Sequence, residues 1–176
     1  MTRILVVGDT HAHHWDHVAP ELRALVASAD IAIHCGDWVN MDTVDGFRRE
    51  ARQSVVVHGN SDPVELRKAL PYRELLEVDG VRIGVTHPAW GTIEPELHEL
   101  LPDFPAEQVG QLDVLAYGHI HVPLSEVAHG VHFINGGQGY ASFRVPGTVG
   151  WIETSPGGPG GRGTFRAWTE EFAPAR

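Results

Sequence analysis

Three short, wholly apolar runs, Ile4-Leu5-Val6-Val7, Ile31-Ala32-Ile33 and Val55-Val56-Val57, recur with a helix-length segment between each pair. Strands that are apolar on both faces belong in a sheet covered on both sides, and strands separated by a helix run parallel. The spacing therefore predicts βαβ units. Helices are expected over about residues 18–28 and 43–52, and a third begins beside Pro63 and runs to Leu70. Val18, Leu22, Leu25 and Val26 share one face of the first.

After Pro71 the pattern changes to hairpins. Runs 74–78 and 81–86 flank Asp79-Gly80, a strong two-residue turn signal, and 124–128 and 131–134 flank His129-Gly130. Between these hairpins lie a helical insert around 94–101 and a strand over 113–117. A last strand pair, 149–154 and 164–169, is joined by the glycine- and proline-rich run 156–163, which reads as a mobile hairpin tip too flexible to pack. The chain has 176 residues, 42% of them hydrophobic, which is enough for one core and too few for two typical domains. The expectation is a single α/β domain over residues 1–176. Two mixed β-sheets would pack as a sandwich with helices on the outer faces, the first sheet mainly parallel and the second richer in hairpins.

Charge and cysteine content narrow the setting. A formal net charge of −10 disfavours a nucleic-acid polymer or an anionic membrane as partner, because both require clustered cations. The lone Cys35 rules out an intramolecular disulfide, so an oxidising compartment has nothing to recommend it. The first residues are apolar too briefly before Asp9 for a signal core or a membrane span, and a cytoplasmic home is expected.

Chemistry concentrates where the strands end. Asp9-Thr10-His11, Gly36-Asp37, Gly59-Asn60, Thr86-His87 and Gly118-His119-Ile120-His121 each follow an apolar run. In open α/β sheets the carboxyl ends of strands converge on one crevice. Seven ligand-competent side chains thus meet there: Asp9, His11, Asp37, Asn60, His87, His119 and His121. Mixed nitrogen and oxygen donors suit divalent transition metals, and two such ions ~3.5–4 Å apart can clamp a phosphoryl displacement. A pair of ions needs a shared anion, and Asp37 at the second strand end is the natural bridge.

In this order and context the motifs resemble the calcineurin-like metallophosphoesterase superfamily, whose pattern is D-x-H, GD, GN-x-D/E, H and GH-x-H. Gly59-Asn60-Ser61-Asp62 and Gly118 to Pro123 are similar to its small bacterial and archaeal phosphodiesterase branch. The resemblance implies a first ion held by Asp9, His11, Asp37 and His121, and a second by Asp37, Asn60, His87 and His119. It further implies a dinuclear-metal-dependent phosphodiesterase in which a metal-bridging hydroxide attacks a small, nucleotide-derived diester, with Asp37, Asn60 and His119 catalytic. Manganese is the expected metal, with iron, zinc or nickel as alternatives. Two other activities stay open: a phosphomonoesterase or nucleotide pyrophosphatase, and a non-catalytic interaction scaffold, since the retromer complex has a subunit of this fold.

Departures from the family pattern raise further expectations. Ser61 stands where larger members place a proton-donating His. Ala12-His13-His14-Trp15 replaces the usual Gly and adds imidazoles at the mouth, and Pro88-Ala89-Trp90-Gly91 follows His87. Asn135-Gly136-Gly137-Gln138 stands where Asn-Pro-Gly-Ser is usual. Trp15, Trp38 and Trp90 are either an aromatic rim for a substrate ring or plugs between loop and core. His13 and His14 either serve proton transfer or substrate contact, or are plain solvated surface. Asp62 either orients a ligand or caps the helix at Pro63. His34 and His58 are expected to pack as strand-end residues, and Cys35 to be a small buried hydrophobe.

Overall fold

The computed structural model describes residues 1–88, 95–158 and 161–175. The first half is β1 (Thr2–Val7), α1 (Pro20–Ser28), β2 (Ile31–His34), α2 (Met41–Glu50), β3 (Ser54–Val56) and α3 (Val64–Ala69). The second is β4 (Arg73–Val78), β5 (Val81–Thr86), α4 (Ala106–Val109), β6 (Val114–Tyr117), β7 (Leu124–Ala128), β8 (Val131–Asn135), β9 (Gly147–Ser155) and β10 (Thr164–Ala173). They form two five-stranded sheets, ordered β10-β9-β1-β2-β3 and β4-β5-β6-β8-β7.

β1, β2 and β3 pair in parallel, as the βαβ spacing requires, with Ile4 beside Ile31 and Ala32 beside Ser54. On the other side of β1 lies β9, antiparallel, followed by β10. The first sheet therefore holds two parallel and two antiparallel pairings, the same balance as the second, and is not mainly parallel as expected. The cause is β9. All but the last of its nine residues are buried, so it is an interior strand and not half of a peripheral hairpin.

Side chains alternating across each strand divide the apolar residues among three layers. Ile4, Val6, Ile31 and Ile33 point to the second sheet and meet Ile83, Val85, Val114 and Ala116. Leu5, Val7 and Trp151 point outward and receive Leu22 and Val26 of α1, Phe47 of α2 and Leu66 of α3. On the far side Leu115, Tyr117 and Phe133 are covered by Leu100, Phe104 and Leu112. The sandwich with outer helices is thus as expected.

Local differences have local causes. The helical insert is a 3₁₀ segment, Leu97–Asp103, opened by a Glu96–Glu99 capping box and holding Pro102, which lacks the N–H an α-helix would use. Glu94, its expected start, lies outside the described residues. α4 was not foreseen, because four residues are too few to show a period. The described part of run 156–163 does pack, against expectation: Arg162 donates to Asp113 Oδ1 at 2.6 Å, and Gly163 lies against the β4–β5 turn at Gly80. Among the described residues no helix is long and apolar enough to cross a membrane.

Candidate metal centre

The seven expected residues meet at the carboxyl ends of both sheets. Asp9 and His11 follow β1, Asp37 follows β2, Asn60 follows β3, His87 follows β5, and His119 and His121 follow β6. One half of the cluster is Asp9, His11 and His121, with His121 Nε2 3.3 Å from Asp9 Oδ1 and 3.2 Å from His11 Nε2. The other gathers Asp9, Asp37 and His87. In each, donor atoms lie within 4.8 Å of one another. Asp37 reaches both halves with separate oxygens: Oδ2 is 3.6 Å from His11 Nε2, and Oδ1 is 3.5 Å from His87 Nε2. Asn60 Oδ1 sits 2.9 Å from both His87 Nε2 and His119 Nδ1. Asp9 as well as Asp37 spans the halves, a sharing that the sequence did not suggest.

Electrostatics give the cluster its character. Asp9 is fully buried and Asp37 is 3% exposed, and among the described residues the ion-pairing contacts of both are with histidines, not Lys or Arg. Burying two carboxylates without a cation is costly, because desolvation penalises the charged form. The backbone is strained as well. Asp9, His11, Asp37, His119 and His121 have φ of 53°, 46°, 61°, 83° and 60°. That left-handed region costs a non-glycine residue ~1–2 kcal/mol, and such strain gathers at functional sites. Two buried carboxylates beside an amide and four imidazoles, with five of the seven residues in a strained backbone, fit divalent cations.

Neighbours hold the donors in place. Ser61 donates to Asp37 twice, from its backbone N to Oδ1 at 2.8 Å and from Oγ to Oδ2 at 2.9 Å. His87 Nδ1 lies 2.6 Å from the Cys35 carbonyl, which fixes its Nε2 toward the cluster. The backbone N of His119 donates to Asp9 at 3.0 Å. A Cβ on Gly59 would fall 2.1 Å from Asp37 Oδ1, so that position must be glycine. Burial, aided by His87, holds His119 below the ordinary imidazole value, whereas its contact with Asp9 lifts His121 above it.

Several expectations are settled by these placements. Asp62 does not cap the helix at Pro63. It accepts from Trp38 N, Val39 N and Gly59 N, each at 2.7 Å, and so clamps the loops that carry Asp37 and Asn60. Trp38 is fully buried, stacked 3.4 Å from His34, and Trp15 is 2% exposed against Phe47, so both are core plugs and not a rim. Trp90 lies outside the described residues. His34 packs as expected, holding Thr10 Oγ1 at 3.1 Å, and Cys35 is fully buried. His58 is half-buried beside Tyr72. His13 is exposed, and His14 faces Asp42 and His17. Asn135 braces the turn by bonding Gly118 O and Gly137 N.

One neighbour was missed altogether. Tyr140 sets its ring 6.2 Å from that of His11 and 6.3 Å from that of His121. The signal was available in the glycine-rich break Gly136-Gly137-Gln138-Gly139, which ends β8 on the same side as the other loops.

Residues 2–157 match the family model for the calcineurin-like phosphoesterase superfamily domain, and the chain belongs to that family. Among its relatives is a probable metallophosphoesterase of Methanocaldococcus jannaschii, 29% identical over 134 residues, which are 76% of this chain and 66% of that protein. A phosphodiesterase of the same organism is 24% identical over 170 residues, covering 86% of this chain and 93% of that protein. The fold is also that of vacuolar protein sorting 29 from Cryptosporidium parvum, with a TM-score of 0.73 at 15% identity over 97% of this chain and 98% of the other.

Proposed function

We propose that this chain hydrolyses a small phosphodiester with two divalent cations at the cluster, manganese being the metal that best suits its donors. The observation that carries this reading is the pair of buried carboxylates, Asp9 and Asp37, surrounded by imidazoles with no Lys or Arg in an ion pair to either among the described residues. The family membership supports a phosphoric ester hydrolase, and the relative named as a phosphodiesterase supports a diester. The substrate is a small molecule and the setting the reducing cytoplasm, in keeping with a net charge of −10 and a buried free thiol.

Asp9, His11, Asp37 and His121 would hold one ion, and Asp37, Asn60, His87 and His119 the other. Bound there, such ions supply Lewis acidity to the phosphoryl oxygens and lower the pKa of water. The chain supplies position. Asp37, braced by Ser61, offers one oxygen to each side, and Asn60 Oδ1 converges with His87 Nε2 and His119 Nδ1 on the second side. Burial lowers the pKa of His119 and so favours the neutral form, in which imidazole donates to a metal.

The test is the metal content of purified wild-type and Asp37→Asn protein, with turnover of bis-p-nitrophenyl phosphate, p-nitrophenyl phosphate and a nucleotide pyrophosphate. About two ions per chain and fastest turnover of the diester are expected, with metal and turnover both sharply reduced by Asp37→Asn. Fastest turnover of the monoester or the pyrophosphate would favour those activities instead. Metal binding with no turnover of any ester would favour an interaction scaffold, the reading that the structural likeness to vacuolar protein sorting 29 supports.

A further inference from the structure

A phosphodiester has two ester groups, and the metal cluster accounts only for the phosphorus between them. With Trp15 and Trp38 buried, two aromatic groups among the described residues that are open to an ester group, Tyr140 and Phe143, lie on the loop of residues 138–146. That loop is stitched to the strand end that carries Asp9. Gly139 N donates to Gly8 O at 3.1 Å, and a Cβ there would fall 2.7 Å from Thr10 Cγ2. Gln138, 5% exposed, donates from Nε2 to Tyr140 O at 2.8 Å and to Ser142 Oγ at 3.0 Å. Ser142 and Val145 then exchange backbone hydrogen bonds of 2.9 and 3.2 Å, closing a tight turn.

Tyr140 is therefore a half-buried ring held at the cluster, nearly perpendicular to both His11 and His121. At the turn beyond it Phe143 is 75% exposed, with the Arg144 guanidinium 4.9 Å over its ring. Tyr140 against the cluster histidines and the exposed Phe143 three positions on are of no use to a substrate that is phosphate alone. They suit one that brings a flat, apolar group, since aromatic faces stack on bases without needing a particular base.

We propose that Tyr140, extended by Phe143, is the wall against which a ring-bearing ester group of the substrate rests, so that the substrate class is aryl or nucleoside phosphodiesters. This deepens the phosphodiesterase reading and rests on it. Tyr140 acts here through its ring, as a specificity-determining contact.

The experiment measures binding apart from turnover. Manganese-loaded wild-type, Tyr140→Ala, Tyr140→Phe and Phe143→Ala proteins are titrated by calorimetry with thymidine 5′-monophosphate and with inorganic phosphate. KM and kcat for bis-p-nitrophenyl phosphate are measured in parallel. Tyr140→Ala should weaken the nucleotide about tenfold relative to phosphate, Phe143→Ala by less, and Tyr140→Phe should behave as wild type. In turnover the loss should fall on KM more than on kcat, as when uniform binding is removed. Equal affinity of wild type and Tyr140→Ala for the nucleotide would overturn the proposal, as would equal loss for nucleotide and phosphate. If wild type binds the nucleotide in this manner yet hydrolyses no diester, the ring contact stands and the phosphodiesterase reading falls.

Discussion

Single residues decide how the cluster is held. Asp62 is 2% exposed and takes three backbone donors, one of them from Val39, a β-branched residue at φ 76°. Asp62→Ala would strand those donors, at ~1–3 kcal/mol each before water enters. Denaturant unfolding should show a loss of about 3 kcal/mol, with lowered metal content because the Asp37 and Asn60 loops part. Val39→Gly should move the other way, gaining about 1 kcal/mol by the same measurement, because glycine enters the left-handed region without the Cβ penalty. Among the described residues, two candidate proton donors are engaged elsewhere. Ser61 spends its hydroxyl on Asp37, and His14 is turned toward Asp42. General acid catalysis is worth ~10²–10⁴-fold, so without it the rate across a series of aryl diesters should fall steeply as leaving-group pKa rises. A shallow dependence that steepens in His13→Ala would identify that imidazole as the donor.

At the level of elements, strand ends carry the chemistry and the burial behind them sets a pH response. His34, the last residue of β2, is fully buried between Trp38 and Phe47, and desolvation holds it well below 6.5. Its neutral form is bound in the fold while the unfolded chain takes up a proton from 6.5 downward, so stability must fall as pH drops below that value. Melting temperature against pH should therefore decline on the acid side, and less steeply in His34→Gln, even though that variant starts lower from lost packing. The convergence of the seven side chains and the strands ahead of them were legible because apolar runs and their polar ends are both local in sequence. For Asp62 ligand orientation and helix capping both stayed open, since its partners Trp38 and Val39 lie 24 and 23 positions away and only the folded loops bring them to it. Tyr140 went unseen for a related reason: the glycine-rich break before it marks a loop but no ligand, and its relevance comes from the hydrogen bonds that tie residue 139 to β1. β9 looked like one arm of a hairpin because pairing on its far side, to β1, joins segments from opposite ends of the chain.

Over the whole molecule, the cluster lies across the seam between the sheets. Asp9, His11, Asp37 and Asn60 come from the first sheet, and His87, His119 and His121 from the second. A cation held there ties the two together and relieves the buried carboxylates, so it binds the folded chain in preference to the unfolded one. At a hundred times its dissociation constant such a ligand adds ~2.7 kcal/mol, which for a chain of this size is about 5–10 °C in melting temperature. Scanning calorimetry with manganese and with chelator should differ by that interval, and the difference should vanish in an Asp9→Asn, Asp37→Asn double variant. The left-handed backbone of the donors has a consequence on an evolutionary timescale. Each of those five residues is held in a conformation that glycine adopts more cheaply, so a mutation that replaces one of them with glycine relieves that strain and makes the cation-free fold more stable. In a lineage where hydrolysis no longer mattered, drift would empty this site while keeping the sandwich intact, leaving a sturdy fold free for other uses.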